Sequence, residues 1–226
     1  MTDVLGPLAG KLIVSAQAYP GEPMRDPTIM VAVAESAIRG GAAAIRLQGL
    51  DDIRTGAAAL GVPVIGLWKD GSDGVFITPT LDHARAVAAA GADIVALDGT
   101  RRVRPDLRTL KQVVTALHDE TDALIMADCG SALDAVAAAE AGADIIGTTL
   151  SGYTGERPQG DGPDLDLIAE IRELQLDRFL IAEGRIHTPA HARLAMEAGA
   201  DSVVVGTAIT HPATLTSWFA SAVEAR

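Results

Sequence analysis

Apolar residues along the chain gather in short runs, and the runs alternate with longer stretches of helical spacing. The runs are LIVSAQ (12–17), AAIRL (43–47), PVIGLWK (63–69), IVALD (94–98), ALIMADC (123–129), IIGTT (145–149), FLIAEG (179–184) and SVVVG (202–206). Each is short, rich in Val, Ile and Leu, and nearly continuous, which predicts strands covered on both faces of a parallel sheet. Between them apolar positions recur every three to four residues. That period predicts helices over 27–39, 51–60, 80–90, 106–119, 132–141, 164–175 and 189–198, and an eighth over 211–224.

A repeated phrase punctuates this alternation. Gly-Gly-Ala-Ala begins at Gly40, and Ala-Gly-Ala-Asp recurs at Ala90, Ala141 and Ala198. Each copy closes an alanine-rich segment and opens an apolar run, and glycine just past a helix end is the usual left-handed cap. Eight strand–helix alternations predict an α/β fold, a single (β/α)8 TIM barrel spanning residues 1–226 as one domain. An open doubly wound sheet would carry a glycine fingerprint after its first strand, and LIVSAQAYPG has none. The longest irregular piece, Gly152–Pro163, follows the sixth strand; loops of that length are usually functional, often lids.

Composition narrows the function. A net charge of −12 argues against nucleic acid and against anionic membrane, so a site for an anionic ligand must be locally basic. No run of about 18 apolar residues is present to span a bilayer. The N-terminus MTDVLGPLAGK lacks the basic and long apolar regions of a signal peptide, and Cys129 is the only cysteine. Together these predict a cytoplasmic protein without disulfides.

In a barrel the carboxyl ends of all strands share one rim, where ligands bind. Read in order, those ends carry Gln17, Arg46, Lys69, Asp98, Asp128, Thr148, Thr149, Glu183, Arg185 and Gly206-Thr207. Three cations on one rim reverse the sign of an acidic chain. Each residue also has a plainer reading: Arg46 paired with a rim carboxylate such as Asp98, Asp128 capping the helix from Ser131, Gln17 satisfying loop backbone, and Lys69 solvated beside Asp70. The loops after the seventh and eighth strands, Glu183-Gly184-Arg185 and Gly206-Thr207-Ala208-Ile209, suit an anion, because glycines let backbone N–H groups approach an oxyanion closely. The five histidines, at 83, 118, 187, 191 and 211, show no paired metal-ligand spacing. Cys129 has no evident histidine partner and reads as a packed residue, as do Trp68 and Trp218.

Longer phrases point further. LIVSAQAYPGEP, AIR ending at Arg46, VIGLWK ending at Lys69, VFITPT, DIVALDGTRRVRP, LIMADC, GTTLSGYT, IAEGRIHTP and VVVGTAIT follow one another from Leu12 to about Ile209. In these the chain resembles the N-acetylmannosamine-6-phosphate 2-epimerases, (β/α)8 enzymes of sialic acid and amino sugar catabolism. The resemblance implies that Lys69 and Glu183 are the catalytic pair. It gives Gln17, Arg46, Asp128 and Arg185 to sugar recognition and orientation, and Gly184, Gly206 and Thr207 to the phosphate. It also implies a homodimer, for which the amphipathic 211–224 segment with Trp218 and Phe219 is the candidate surface. The family commonly has Ser-Cys-Gln where this chain has Ser15-Ala16-Gln17, and often Gly-Gly where it has Gly206-Thr207.

The implied reaction is inversion at C2 of a 2-acetamido sugar 6-phosphate. In the open chain that C–H lies α to the aldehyde, so the step needs a base, a proton source and a stabilised enolate, with no metal and no redox cofactor. Lys69 can act as base only if its amine is partly neutral, and Arg46 together with burial predicts that shift. Two other readings fit the same rim: a Schiff-base phosphosugar lyase or aldolase using Lys69, and a phosphosugar-binding protein without turnover.

Overall fold

Eight parallel strands close into a barrel in the order of the chain, in a computed structural model that describes residues 3–224. The strands are β1 (Leu12–Ala16), β2 (Ala44–Gln48), β3 (Val64–Leu67), β4 (Ile94–Asp98), β5 (Leu124–Asp128), β6 (Ile145–Gly147), β7 (Phe179–Glu183) and β8 (Ser202–Val205). Helices α1 (Pro27–Arg39), α2 (Leu50–Ala59), α3 (Leu81–Ala89), α4 (Leu110–Glu120), α5 (Ala132–Ala141), α6 (Leu165–Glu173) and α7 (Pro189–Glu197) follow the first seven strands. After β8 come two helices, α8 (Thr207–Thr210) and α9 (Pro212–Glu224). The (β/α)8 barrel read from the sequence is therefore the fold.

The boundaries follow local chemistry. Side chains of Asp26, Thr80, Ser131, Asp164 and Thr188 accept N–H groups of the first turns of α1, α3, α5, α6 and α7. Thr109 and Gln112 form a reciprocal capping box. That box starts α4 at Leu110 rather than at residue 106, because Leu107 has the left-handed φ of 59° and breaks the turn before it. The glycine of each repeated phrase is left-handed as the pattern predicts: Gly41, Gly91, Gly142 and Gly199 have φ between 96° and 112°.

The aspartates of the phrase have a use that the sequence does not reveal. Asp93, Asp144 and Asp201, just before β4, β6 and β8, accept the backbone N–H of Val64, Ile125 and Leu180 at 2.7–2.8 Å. Each clips the start of a strand to the start of its neighbour. In the first copy Ala43 occupies the position of the aspartate.

Strand alternation sorts the core into two shells. Val14, Ile45, Leu47, Val95, Leu97, Ile125, Ile146, Leu180 and Val203 point outward and pack under the helices. Ile13, Ala44, Ile65, Ile94, Met126, Ile145, Ile181 and Val204 fill the barrel, and Leu8 of the 3₁₀ turn Gly6–Leu8 packs into the same cluster. The inward set continues upward in steps of two: Ser15 and Gln17 above Ile13, Arg46 above Ala44, Lys69 above Leu67, Asp128 above Met126, Glu183 above Ile181. The interior thus turns from apolar to charged along its own strands.

α9 does not join this packing. None of its residues is buried, and Phe219 and Val223 are 72% and 77% exposed. Beside α1 lies an apolar groove of about 590 Å³ lined by Leu12, Val14, Ile29, Val33, Ala37 and Ile209. No described helix is long and apolar enough to cross a membrane.

Candidate active site

Arg46 is the centre of the rim. Its side chain is only 1% exposed and meets two carboxylates. Nη2 donates to Oδ2 of Asp128 at 2.6 Å and Nη1 to Oδ1 at 3.1 Å, a two-pronged pair; Nη1 also reaches Oε2 of Glu183 at 2.6 Å. Burial opposes the charge on Arg46, but Asp128 and Glu183 outweigh it and raise its pKa, so the guanidinium stays charged. Thr149 Oγ1 sits within hydrogen-bond reach of both, 2.7 Å from Asp128 Oδ1 and 3.1 Å from Glu183 Oε2. Gly147 makes room for this group, since a Cβ there would fall 3.1 Å from Asp128 Oδ1 and 2.6 Å from Met126 Cε.

Asp128 is fully buried and takes no part in the cavity wall. Its observed contacts orient Arg46, while the cap of α5 comes from Ser131 itself. Asp98 is equally buried, but it faces Thr100 and Arg102 of its own loop, with Thr100 Oγ1 at 2.6 Å and Arg102 Nη2 at 2.6 Å. It neither pairs with Arg46 nor lines the cavity.

Glu183 keeps 14% of its side chain exposed, toward the cavity. Its backbone is pinned by Thr148, whose hydroxyl donates to the Glu183 carbonyl at 2.9 Å and accepts its N–H at 3.0 Å. Burial pushes the carboxyl up, and Asp128 adds to this against the pull of Arg46; the resulting pKa is about 7.

Lys69 lies two residues beyond β3, in a short hairpin rather than at a strand end. An antiparallel bridge pairs it with Ile77, Asp70 N–H bonds the Phe76 carbonyl at 3.0 Å, and Thr78 N–H bonds that of Trp68 at 2.7 Å. Thr78 hooks this hairpin to β4 through its hydroxyl and the Ala96 carbonyl, 2.7 Å apart. The Lys69 ammonium donates to Gln17 Oε1 at 2.9 Å, and Gln17 Nε2 donates to Ser15 Oγ at 2.8 Å. Burial and then the neighbouring Arg46 hold the Lys69 pKa below the ordinary lysine range. Both causes, and the direction, are those read from the sequence.

These residues open on one cavity of about 520 Å³, lined by Gln17, Arg46, Lys69, Glu183, Gly184, Arg185, Gly206 and Thr207 among others. Its floor is charged and its far wall is the anion-suited pair of loops. Gly184 has φ 115° and Arg185 φ 53°, so the chain turns sharply here and only glycine takes the first position without strain. Gly206 packs against β1, where a Cβ would come 3.3 Å from that of Ser15. α8 starts directly after it, which leaves the first N–H groups of that helix without helical partners.

Arg185 divides its donors. Nε and Nη1 bind the carbonyls of Gly162 and Ser151 at 2.9 and 2.7 Å, fastening both ends of the loop between β6 and α6. Tyr19, Tyr153, His187 and His211 also line the cavity, and a second hollow of about 360 Å³ beside them reaches Trp218. Sequence reading weighs His187 and His211 only as metal ligands and gives Tyr19 and Tyr153 no role, because nothing local marks any of the four as facing the cavity. Among the described residues no group of three or more His, Cys, Asp or Glu side chains is placed to hold a metal ion. Cys129 is buried, and burial raises its thiol pKa.

An amine held below its usual pKa beside a carboxyl that titrates near neutrality is a pairing suited to proton transfer. Known proteins resemble this chain over nearly its whole length. The family model described as "Putative N-acetylmannosamine-6-phosphate epimerase" matches residues 30–225. A Cutibacterium acnes protein named putative N-acetylmannosamine-6-phosphate 2-epimerase is 57% identical over 98% of this chain and 97% of its own length. One of the same name from Corynebacterium glutamicum strain R is 49% identical over 95% and 93%. The solved structure of the N-acetylmannosamine-6-phosphate 2-epimerase from Clostridium perfringens superposes with a TM-score of 0.92, at 37% identity, over 96% of this chain and 95% of that one.

Proposed function

The chain belongs to the N-acetylmannosamine-6-phosphate 2-epimerase family, and from that premise we propose that it interconverts N-acetylmannosamine 6-phosphate and N-acetylglucosamine 6-phosphate. The reading places it in amino sugar and sialic acid catabolism, in the cytoplasm. The observation that carries it is the meeting of Lys69 and Glu183 over one cavity, each with its pKa moved toward neutrality.

Neutral Lys69 takes the proton from C2 of the open-chain sugar. The bonding pair becomes the C1–C2 double bond of an enolate whose charge rests on the former aldehyde oxygen. Arg46, on the same wall, supplies positive charge beside it. A proton delivered to the opposite face of C2 completes the inversion, and Glu183 provides the complementary acid–base step. The sequence is redox-neutral, and side chains of the cavity supply each proton step without a metal ion or cofactor. Gln17, Arg46, Asp128 and Arg185 orient the sugar, Asp128 by fixing Arg46.

The test is to follow N-acetylmannosamine 6-phosphate by NMR in deuterated water. N-acetylglucosamine 6-phosphate carrying solvent deuterium at C2 is expected. Cleavage to pyruvate or a triose phosphate would favour the lyase instead, and tight binding without turnover the non-catalytic binding protein.

The phosphate falls to Gly184, Arg185, Gly206 and Thr207. Removing it from the ligand deletes at least two hydrogen bonds to a charged group, so unphosphorylated N-acetylmannosamine should bind roughly 10²-fold more weakly in calorimetry. Arg185→Ala should narrow that gap, and equal affinities for the two sugars would refute the assignment.

A homodimer accounts for the exposed α9. Exposed Phe219 and Val223 and the groove of Leu12, Val14, Ile29 and Ile209 are apolar surfaces on one chain, and contact between two copies would cover both. Light scattering should give about twice the 23.3 kDa of the chain. A monomer at micromolar concentration would rule this out.

A further inference from the structure

The loop between β1 and α1 carries an aromatic side chain over Lys69 that the mechanism has not used. The Lys69 Nζ lies 5.3 Å from the centroid of the Tyr19 ring, inside the range of a cation–π contact. Tyr19 is 52% exposed, so packing under a core does not explain its place. Glu22 holds it there. Glu22 Oε2 accepts the Tyr19 N–H at 2.7 Å, and Oε1 lies 2.7 Å from Nε2 of His211, at the junction of α8 and α9. Nδ1 of His211 accepts the Thr214 N–H, which leaves Nε2 as the donor to Glu22. The His211 ring meets the Tyr19 ring edge-on, with centroids 5.7 Å apart. Arg25 fastens the far end of the same loop to Asp52 of α2 at 2.6 Å.

An ammonium has three N–H groups. We propose that Tyr19 is a positioning residue for Lys69: clasped over the rim through Glu22 and His211, its ring covers one side of the amine while Gln17 holds another, so that the remaining N–H, or the lone pair that replaces it, faces the cavity. The inference rests on the reading that Lys69 moves the C2 proton. A rotating amine would present its lone pair to C2 only part of the time, whereas one held at two of its three positions presents it continually.

The charged groups whose fields reach Lys69 are Arg46 of β2, Asp128 of β5 and Glu183 of β7; the titratable groups around Tyr19 are Glu22, Tyr153 and His211. The π face favours the ammonium form and so works against Arg46. Its loss should therefore move the titration of Lys69 downward.

The chain has only three lysines, Lys11, Lys69 and Lys111, which makes this measurable without reference to turnover. Protein labelled with ¹³C at the lysine ε-carbon gives three signals, and the one missing from Lys69→Ala is that of Lys69. In Tyr19→Leu it should titrate about half a pH unit lower than in the unmodified protein, about a threefold change in the neutral fraction. Tyr19→Phe keeps the ring and should titrate as the unmodified protein does. With N-acetylmannosamine 6-phosphate, Tyr19→Leu should lose several-fold in kcat with little change in KM, and Tyr19→Phe should restore kcat. An unshifted Lys69 signal in Tyr19→Leu would overturn the proposal, as would a shift of equal size in Tyr19→Phe. The expected shift in proteins that all fail to epimerise the sugar would support the contact and overturn the epimerase reading instead.

Discussion

Lys69→Ala should lower epimerase turnover by roughly 10²–10⁴-fold, the contribution typical of a group that moves a proton in the transition state. Binding of the phosphosugar should stay close to that of the unmodified protein. Lys69 makes its one protein hydrogen bond to Gln17, whereas Arg46, Asp128, Glu183 and Thr149 hold one another without it. The loops assigned to the phosphate lie on other strands. Substitution thus removes the base and leaves the frame. The measurement is single-turnover conversion by NMR, paired with calorimetric titration of the phosphosugar. Full activity in Lys69→Ala would end its assignment as the base; lost binding together with lost turnover would make Lys69 a binding group instead.

Arg46→Met should cost about 3–5 kcal/mol of folding stability at pH 8, the range for breaking one side of a buried ion pair. Methionine fills much of the space but removes the cation that bridges Asp128 and Glu183. The loss should shrink toward pH 5. Glu183 already titrates near 7 in the folded protein, above its unfolded value of about 4.5, so the folded state binds the extra proton between those limits. Such a group gives stability that is present at low pH and lost as pH rises through the folded pKa. Without Arg46 the carboxyl rises further, and the lost stability grows across neutral pH. Urea unfolding at pH 5 and pH 8 measures both quantities. An equal loss at the two pH values would mean that Arg46 stabilises the barrel through packing alone.

The fold was legible because its signals are local. A run of β-branched and aliphatic residues, a left-handed glycine and a threonine or serine cap each occupy a few adjacent positions. The rim was legible for the same reason, since Arg46, Asp128 and Glu183 stand at or near the carboxyl ends of the runs that form β2, β5 and β7. What stayed hidden depends on partners far apart in the chain. The Glu22–His211 contact joins residues 189 apart and the Lys69–Gln17 contact residues 52 apart, and nothing near either partner announces the other. The hairpin that holds Lys69 past the end of β3 depends likewise on Thr78 reaching a carbonyl of the next strand. Asp128 was visible as a rim residue, but nothing near it along the chain indicates that Arg46 lies between it and the cavity.

The seam between β1 and β8 differs from every other strand pairing in the length of chain it closes. Along the rest of the barrel each strand pairs with its successor in the chain, across one intervening helix, so those contacts close short loops. The β1–β8 pairing instead joins Leu12 to Val203, nearly the whole chain apart, with Ser202 Oγ on the Lys11 carbonyl and Thr210 Oγ1 on that of Ser15 as its side-chain latches. Closing so long a loop carries the largest entropic cost of any strand pairing here. The cavity straddles this seam, with Gln17 and Tyr19 on one side and Gly206, Thr207 and His211 on the other. On the proposed reading, a phosphosugar bound there would tie the two ends of the chain together. Occupancy of the site and closure of the ring would then be one linked equilibrium, with the ligand as a removable staple.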